Sequence, residues 1–339
     1  MKYFKFNYKQ MLMPTVFLTI IGTLVYIIPI MFAQVNDPIA YRRTANLVSF
    51  AIFLIIATIF IPVYEFSSLK TTKGSDLYYA LPLTKRHVHF ILFLKGLMEL
   101  IVSYSVLYIL GVLITFSRGF NFDYEWYLPV YFLGLIGLIT YYAFNTVIFL
   151  RSNRIVDGIL FILLYILAPF LVLNTITYIF GLYPNKTISF FPFNHILELF
   201  NYFDHIITKR YIEEAILFRM QNSLWIWSIV GLVVGTFGLV FTKDLKPEDV
   251  YQVSNTWIGY KILIPIYLIT LTVFLRINFI VFNNIPWLAL FFMAGYVGYV
   301  IHQRTFKIKW YYFVIIFAST FVGILINAIA TMNGLFIMV

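Results

Sequence analysis

Long apolar runs, separated by short polar links rich in Lys and Arg, succeed one another along the whole chain. A helix needs about 20 mostly apolar residues to cross the hydrocarbon of a bilayer, where each backbone group must find its partner within the segment. By that measure residues 11–32, 47–64, 90–116, 127–150, 158–183, 224–242 and 310–339 are predicted spans. Two weaker runs join them: 262–282 contains Arg276, which can snorkel to a surface, and 285–301 is short. The expected fold class is all-α, a polytopic membrane protein with a six-span core over 1–242 and a three-span C-terminal extension over 243–339. Between the fifth and sixth spans, residues 183–222 form a long polar-apolar segment. Within it Ile196, Leu199, Phe203, Ile206 and Ile207 recur at helical spacing, as in a surface helix or a loop packed on its own spans.

The links orient the chain. With the amino terminus in the cytoplasm, most Lys and Arg fall inside, among them Lys2, Lys5, Lys9, Lys70, Lys73, Lys85, Arg86, Arg151, Arg154, Lys261, Lys307 and Lys309. The first run has no small-residue cleavage site after it, so it reads as a retained span. Composition agrees: 62% of residues are hydrophobic and 11% charged, against about 25% charged in soluble domains, and the mean hydropathy is +0.89. The net charge of +10 sits beside apolar runs, where it favours anionic lipid headgroups and gives no reason to expect nucleic acid as a partner. There is no cysteine, which excludes disulfides and thiolate metal ligands.

Chemistry by the chain itself finds little support. No phosphate-cradling glycine loop, two-histidine zinc motif or nucleophile elbow occurs, so no catalytic residue, cofactor or metal ligand is assigned. His87 and His89 are two apart on a predicted helix and diverge; they read as headgroup-facing polar residues. Glu99 is the one acid read as well inside a span, roughly 15 Å along the third. It is either a proton-transport group or a structural carboxylate on the face of Lys95, one turn away. Asn145 and Asn174 read as bonds between helices, or as polar groups on a substrate path. Asn185, Lys186 and Thr187 match a glycosylation acceptor, a match that arises often by chance.

The link between the second and third spans is the most informative segment. After Glu65 and the polar run 67–74 come Ser75, Asp76, Leu77, Tyr78, Tyr79, Ala80, Leu81, Pro82, Leu83, Thr84, Lys85 and Arg86. Gly74, Ser75 and Asp76 can start and cap a short helix, Pro82 stops it, and Thr84 can cap the helix that rises into the third span. The expected product is an apolar knob over about 75–82. It either receives force from a soluble partner or is an interfacial turn with no partner.

The run from Asp76 to Arg86, with its core Leu81, Pro82, Leu83, Thr84, Lys85 and Arg86, resembles the Leu-Pro-aliphatic-Ser/Thr-basic-basic signature of type 2 ABC exporter permeases. The basic amphipathic start, with Lys2, Lys5 and Lys9 on one face and Phe4, Tyr8 and Met11 on the other, is similar to that family's connecting helix. The resemblance covers about residues 1–242. It implies a permease subunit of the bacterial cytoplasmic membrane, working as two copies or with a related permease, and driven by two ATPase subunits that hold ATP and Mg. Asp76, Leu77, Tyr78, Tyr79, Leu81, Pro82, Lys85 and Arg86 would meet the ATPase, and the turn carrying Arg151 and Arg154 would be a second contact. Extended permeases of this kind from Gram-positive bacteria export amphipathic peptides, such as phenol-soluble modulins, or confer peptide-antibiotic resistance. Two other expectations stand beside it: a proton-coupled carrier using Glu99, and a membrane enzyme on lipid-linked substrates, against which the lack of paired acids or metal ligands in the loops counts.

Overall fold

Pro29 shapes the first helix of the protein. Proline lacks the N–H that would bond the carbonyl four residues back, so the helix must widen or kink near it. In a computed structural model, α1 (Lys2–Gly22) widens into a π turn over Thr23–Ile27, where the Ile28 N–H reaches the Thr23 carbonyl, and continues as α2 (Ile28–Phe32). The structure describes residues 2–32, 47–71, 73–74, 85–118, 127–180, 196–197, 199–200, 229, 231, 233, 259–275 and 285–337. Every element among them is helical: α3 (Leu47–Ser67), α4 (Lys85–Ser117), α5 (Tyr127–Leu150), α6 (Ile155–Ile179), α7 (Tyr260–Phe274), α8 (Ile285–Gln303) and α9 (Trp310–Ile337).

The chain forms two compact units, Met1–Leu150 with Phe193–Asp244, and Arg151–Pro192 with Leu245–Val339. In the first, α1 packs on α4, and α3 on both α4 and α5. The π turn places Tyr26 flat on Phe50, with ring centroids 4.0 Å apart, and against Gly111, where an added Cβ would lie 2.3 Å from the Tyr26 ring. Tyr104 continues the cluster: it stacks on Tyr131 at 5.4 Å and donates to the Tyr131 carbonyl. From the expected outer segment, Ile196, Leu199 and Phe200 are buried. Phe200 meets Phe50 edge-on, and Ile196 and Leu199 lie over Gly137 and Gly134 of α5.

In the second unit α7 packs against α6, α8 and α9 around Leu268, Phe291, Tyr299, Tyr312 and Ile316. Gly323 lets α9 approach α7, since a Cβ there would come within 3.0 Å of the Ile269 carbonyl oxygen. Near the C-terminal end of α7, Asn327 of α9 donates to the Thr272 carbonyl at 2.9 Å. Linear order grouped the helix of residues 158–183 with the part ending at 242, whereas α6 packs with helices from beyond that boundary.

Among the described residues six helices are long and apolar enough to cross a membrane: Met11–Phe32, Val48–Lys70, Arg86–Ser117, Tyr127–Leu150, Ile155–Ile179 and Trp310–Thr331. The helix Tyr260–Phe274 is apolar but shorter. The expected span 224–242, apart from Ile229, Gly231 and Val233, lies outside the described residues, as does Arg276.

Candidate functional site

One proline and one helix end explain why two polar side chains enter the apolar interior of the first unit. Pro62 of α3 cannot donate to the Thr58 carbonyl, so that oxygen needs another partner within a dry helix bundle. Asn145 of α5, fully buried, supplies it: its Nδ2 donates to the Thr58 carbonyl at 3.2 Å and to Thr58 Oγ1 at 3.3 Å. Asn145 therefore ties α5 to α3.

The last carbonyls of α5 pose the same problem one step further along. Lys70 follows α3 in the short 3-10 turn Ser68–Lys70 and is 2% exposed. Its Nζ donates to the carbonyl of Phe149, in the last turn of α5, and lies 3.9 Å from the centroid of the Phe149 ring. A cation at a helix C-terminus satisfies an orphan carbonyl and the negative end of the helix dipole, and the ring face adds attraction. This lysine, counted in the sequence among the cations of the cytoplasmic side, is buried.

Between these ties sits a buried charged trio. Lys95 of α4 points its Nζ to Glu65 Oε1 of α3 at 2.9 Å and lies 4.0 Å from Glu99 Oε1, one turn along its own helix. The Glu65, Lys95 and Glu99 side chains are 1%, 9% and 0% exposed, so all three charges are removed from water. One ammonium faces two carboxyls, and the group is electroneutral only when a proton joins one of them. Close by, Gly96 allows Tyr142 of α5 to lie on α4, where its hydroxyl donates to the Phe93 carbonyl at 2.9 Å. Glu99 is thus not the sole acid inside a span: α3 continues past residue 64, and Glu65 lies within it.

The link leaving this base is itself tightly turned. Thr71 Oγ1 accepts from the Gly74 N–H at 3.3 Å and donates to the Ser68 carbonyl at 2.9 Å. A Cβ on Gly74 would sit 1.9 Å from the same carbonyl oxygen, so this close approach requires glycine. On the far side of the link, Arg86 and His87 are exposed, while His89 is buried with its ring 6.4 Å from that of Phe66, not directed to headgroups. Asp76, Leu77, Tyr78, Tyr79, Leu81 and Pro82 lie outside the described residues, and Lys85 is placed as the first residue of α4 with its side chain undescribed.

The remaining predicted residues are spread wider. Arg151 and Arg154 are half-buried beside the turn in which Ser152 Oγ donates to the Arg154 carbonyl at 3.0 Å. Asn174, expected to bond across helices or to face a substrate path, donates to the Phe170 carbonyl of its own helix at 2.8 Å. A polar group absent from the sequence reading lies in the second unit. There Asp157 of α6 accepts from Arg304 at 3.2 Å and from the Tyr260 hydroxyl at 3.2 Å. An acid in the first turn of an apolar helix was the available signal, but its partners are more than a hundred residues away in the chain.

With six apolar helices of spanning length among the described residues, the class this fold defines is a polytopic α-helical membrane protein. No family, curated protein or solved structure matches the chain.

Proposed function

We propose that the chain is the membrane-embedded permease subunit of an ATP-driven exporter of apolar or amphipathic substrates such as peptides, with a separate ATPase bound at the link between α3 and α4. The observation that carries this reading is the anchorage of that link. The helices on either side of it, α3 and α4, are joined by the Glu65–Lys95 ion pair, and Lys70 fastens its start to the end of α5. A push on the segment between them is therefore delivered to three helices at once. The Leu81 to Arg86 motif is one contact for the ATPase and the turn at Arg151 and Arg154 a second, and the ATP and Mg of that subunit drive the cycle. The amino terminus and the link lie in the cytoplasm of a bacterial cell, and a second copy or a related permease completes the path.

The test is whether an ABC-type ATPase co-purifies with the full chain. Leu77→Glu and Tyr79→Glu are expected to release the ATPase while the permease stays folded and inserted. Retained assembly with full ATP turnover in both variants overturns the reading.

A second reading, a proton-coupled carrier, is favoured by the charged trio, because two buried carboxyls around one lysine can exchange a proton. Transport abolished by an uncoupler and indifferent to ATP selects it over the exporter.

A further inference from the structure

At one end of the second unit three helix termini meet: α7 and α9 begin there, and α8 ends there. Between them lies a cavity of about 470 Å³ whose walls include Lys261, His302, Lys307, Lys309, Tyr311 and Tyr312. The three lysines come from α7 and from the connection between α8 and α9; all three are exposed, and among the described residues none forms an ion pair. The nearest acid on α6, Asp157, is already engaged by Arg304 and Tyr260, so it does not offset them.

The backbone adds to this positive field. Helix N-termini carry the positive end of the helix dipole, and the cavity adjoins the first turns of two helices, α7 and α9. The opposing C-terminus of α8 is closed locally. Arg304 adopts a left-handed backbone conformation, φ 57°, and its N–H takes the Val300 carbonyl at 2.6 Å. The floor is the buried His302. Burial, and next the Lys261 ammonium, hold its imidazole below the ordinary value, so it adds no charge of its own at neutral pH.

The residues next to Lys307 and Lys309 in the chain identify the setting. Phe306 and Trp310 are 81% and 76% exposed beside the lysines, at the boundary where α9 begins its apolar run. Aromatic side chains mixed with Lys at the end of a spanning helix mark the headgroup layer of a bilayer.

We propose that this cavity is a binding site for a phosphate-type oxyanion, held by Lys261, Lys307 and Lys309 between the amino ends of α7 and α9. The phosphodiester of an anionic phospholipid and free inorganic phosphate share that chemistry. Three cations and two helix ends suit a group with several acceptor oxygens, and a basic pocket between helix ends at a membrane boundary is the form that headgroup sites take. The site is independent of the exporter reading, because it uses no residue of the α3–α4 link.

The experiment uses the full chain in detergent, titrated with phosphatidylglycerol, phosphatidylcholine or inorganic phosphate, with bound ligand read by native mass spectrometry. Phosphatidylglycerol is expected to bind the wild type more tightly than phosphatidylcholine. The variant K261A/K307A/K309A is expected to lose that binding by on the order of 100-fold, and K261R/K307R/K309R to keep it. Phosphatidylglycerol binding that inorganic phosphate does not displace assigns the site to the lipid. Phosphate binding with the same dependence on the lysines assigns it to the free anion. Equal retention by the alanine variant, or no preference for either anion in the wild type, overturns the proposal. Should the alanine variant not fold, a wild-type preference unmoved by high salt overturns it as well, since exposed charges are screened by salt.

Discussion

Lys95 is the residue on which the interior of the first unit depends most. Its ammonium stands between Glu65 and Glu99 in a space closed to water, and removing it leaves two carboxyls with no cation beside them. Breaking a buried pair from one side costs about 3–5 kcal/mol, whereas replacing every member by neutral groups of similar size is often neutral. Lys95→Met is therefore expected to lower stability by about that amount. Adding Glu65→Gln and Glu99→Gln in the same chain is expected to recover most of it, as thermal unfolding of the purified protein in detergent would show. Sequence alone displayed Glu99 and its neighbour one turn away, because helical spacing is a local property. It did not display Glu65 as the third member, since that pairing depends on how α3 lies against α4.

Among the helices, the contact of α4 with α5 is set by the smallest side chain in it. Gly96 leaves the space that the Tyr142 hydroxyl fills, and an added Cβ would stand 2.4 Å from that oxygen and 2.8 Å from Ile61 of α3. Gly96→Ala is expected to destabilise by about 1–3 kcal/mol through overpacking, despite alanine's better helix propensity. Tyr142→Phe, which removes the obstructing oxygen, is expected to restore part of the loss in the double variant even though it gives up the bond to the Phe93 carbonyl. A double-mutant cycle on thermal unfolding measures that coupling; simple additivity of the two losses would show that the helices are not held at this distance by the pair. Glycines in spans are visible in any sequence, yet which of them faces a tyrosine is a property of the packed helices.

For the whole molecule, the absence of cysteine makes sidedness directly measurable. The orientation proposed from the Lys and Arg distribution places residues 73 and 307 inside and residue 118 outside. In intact cells a membrane-impermeant maleimide is expected to label Arg118→Cys, and to label Lys73→Cys and Lys307→Cys only after the membrane is opened. Labelling of Lys73→Cys from outside would put the α3–α4 link beyond reach of any cytoplasmic ATPase and remove the exporter reading.

The chain's own residue order determined that it is helical, that it crosses a membrane several times, and where most of the crossings lie. Each of these follows from the length and polarity of a continuous stretch, and a bilayer imposes the same length on any helix that enters it. Residue order also marked the proline-bearing link at 75–86 as unlike the other links. Only the tertiary structure decided that Asn145 takes over the carbonyl released by Pro62, that Lys70 ends α5, and that α6 packs with the C-terminal helices. The same holds for the pairing of Asp157 with Arg304, 147 residues apart. These are contacts between distant segments, satisfied by whichever neighbour the packing brings near, and no periodicity within one helix encodes them.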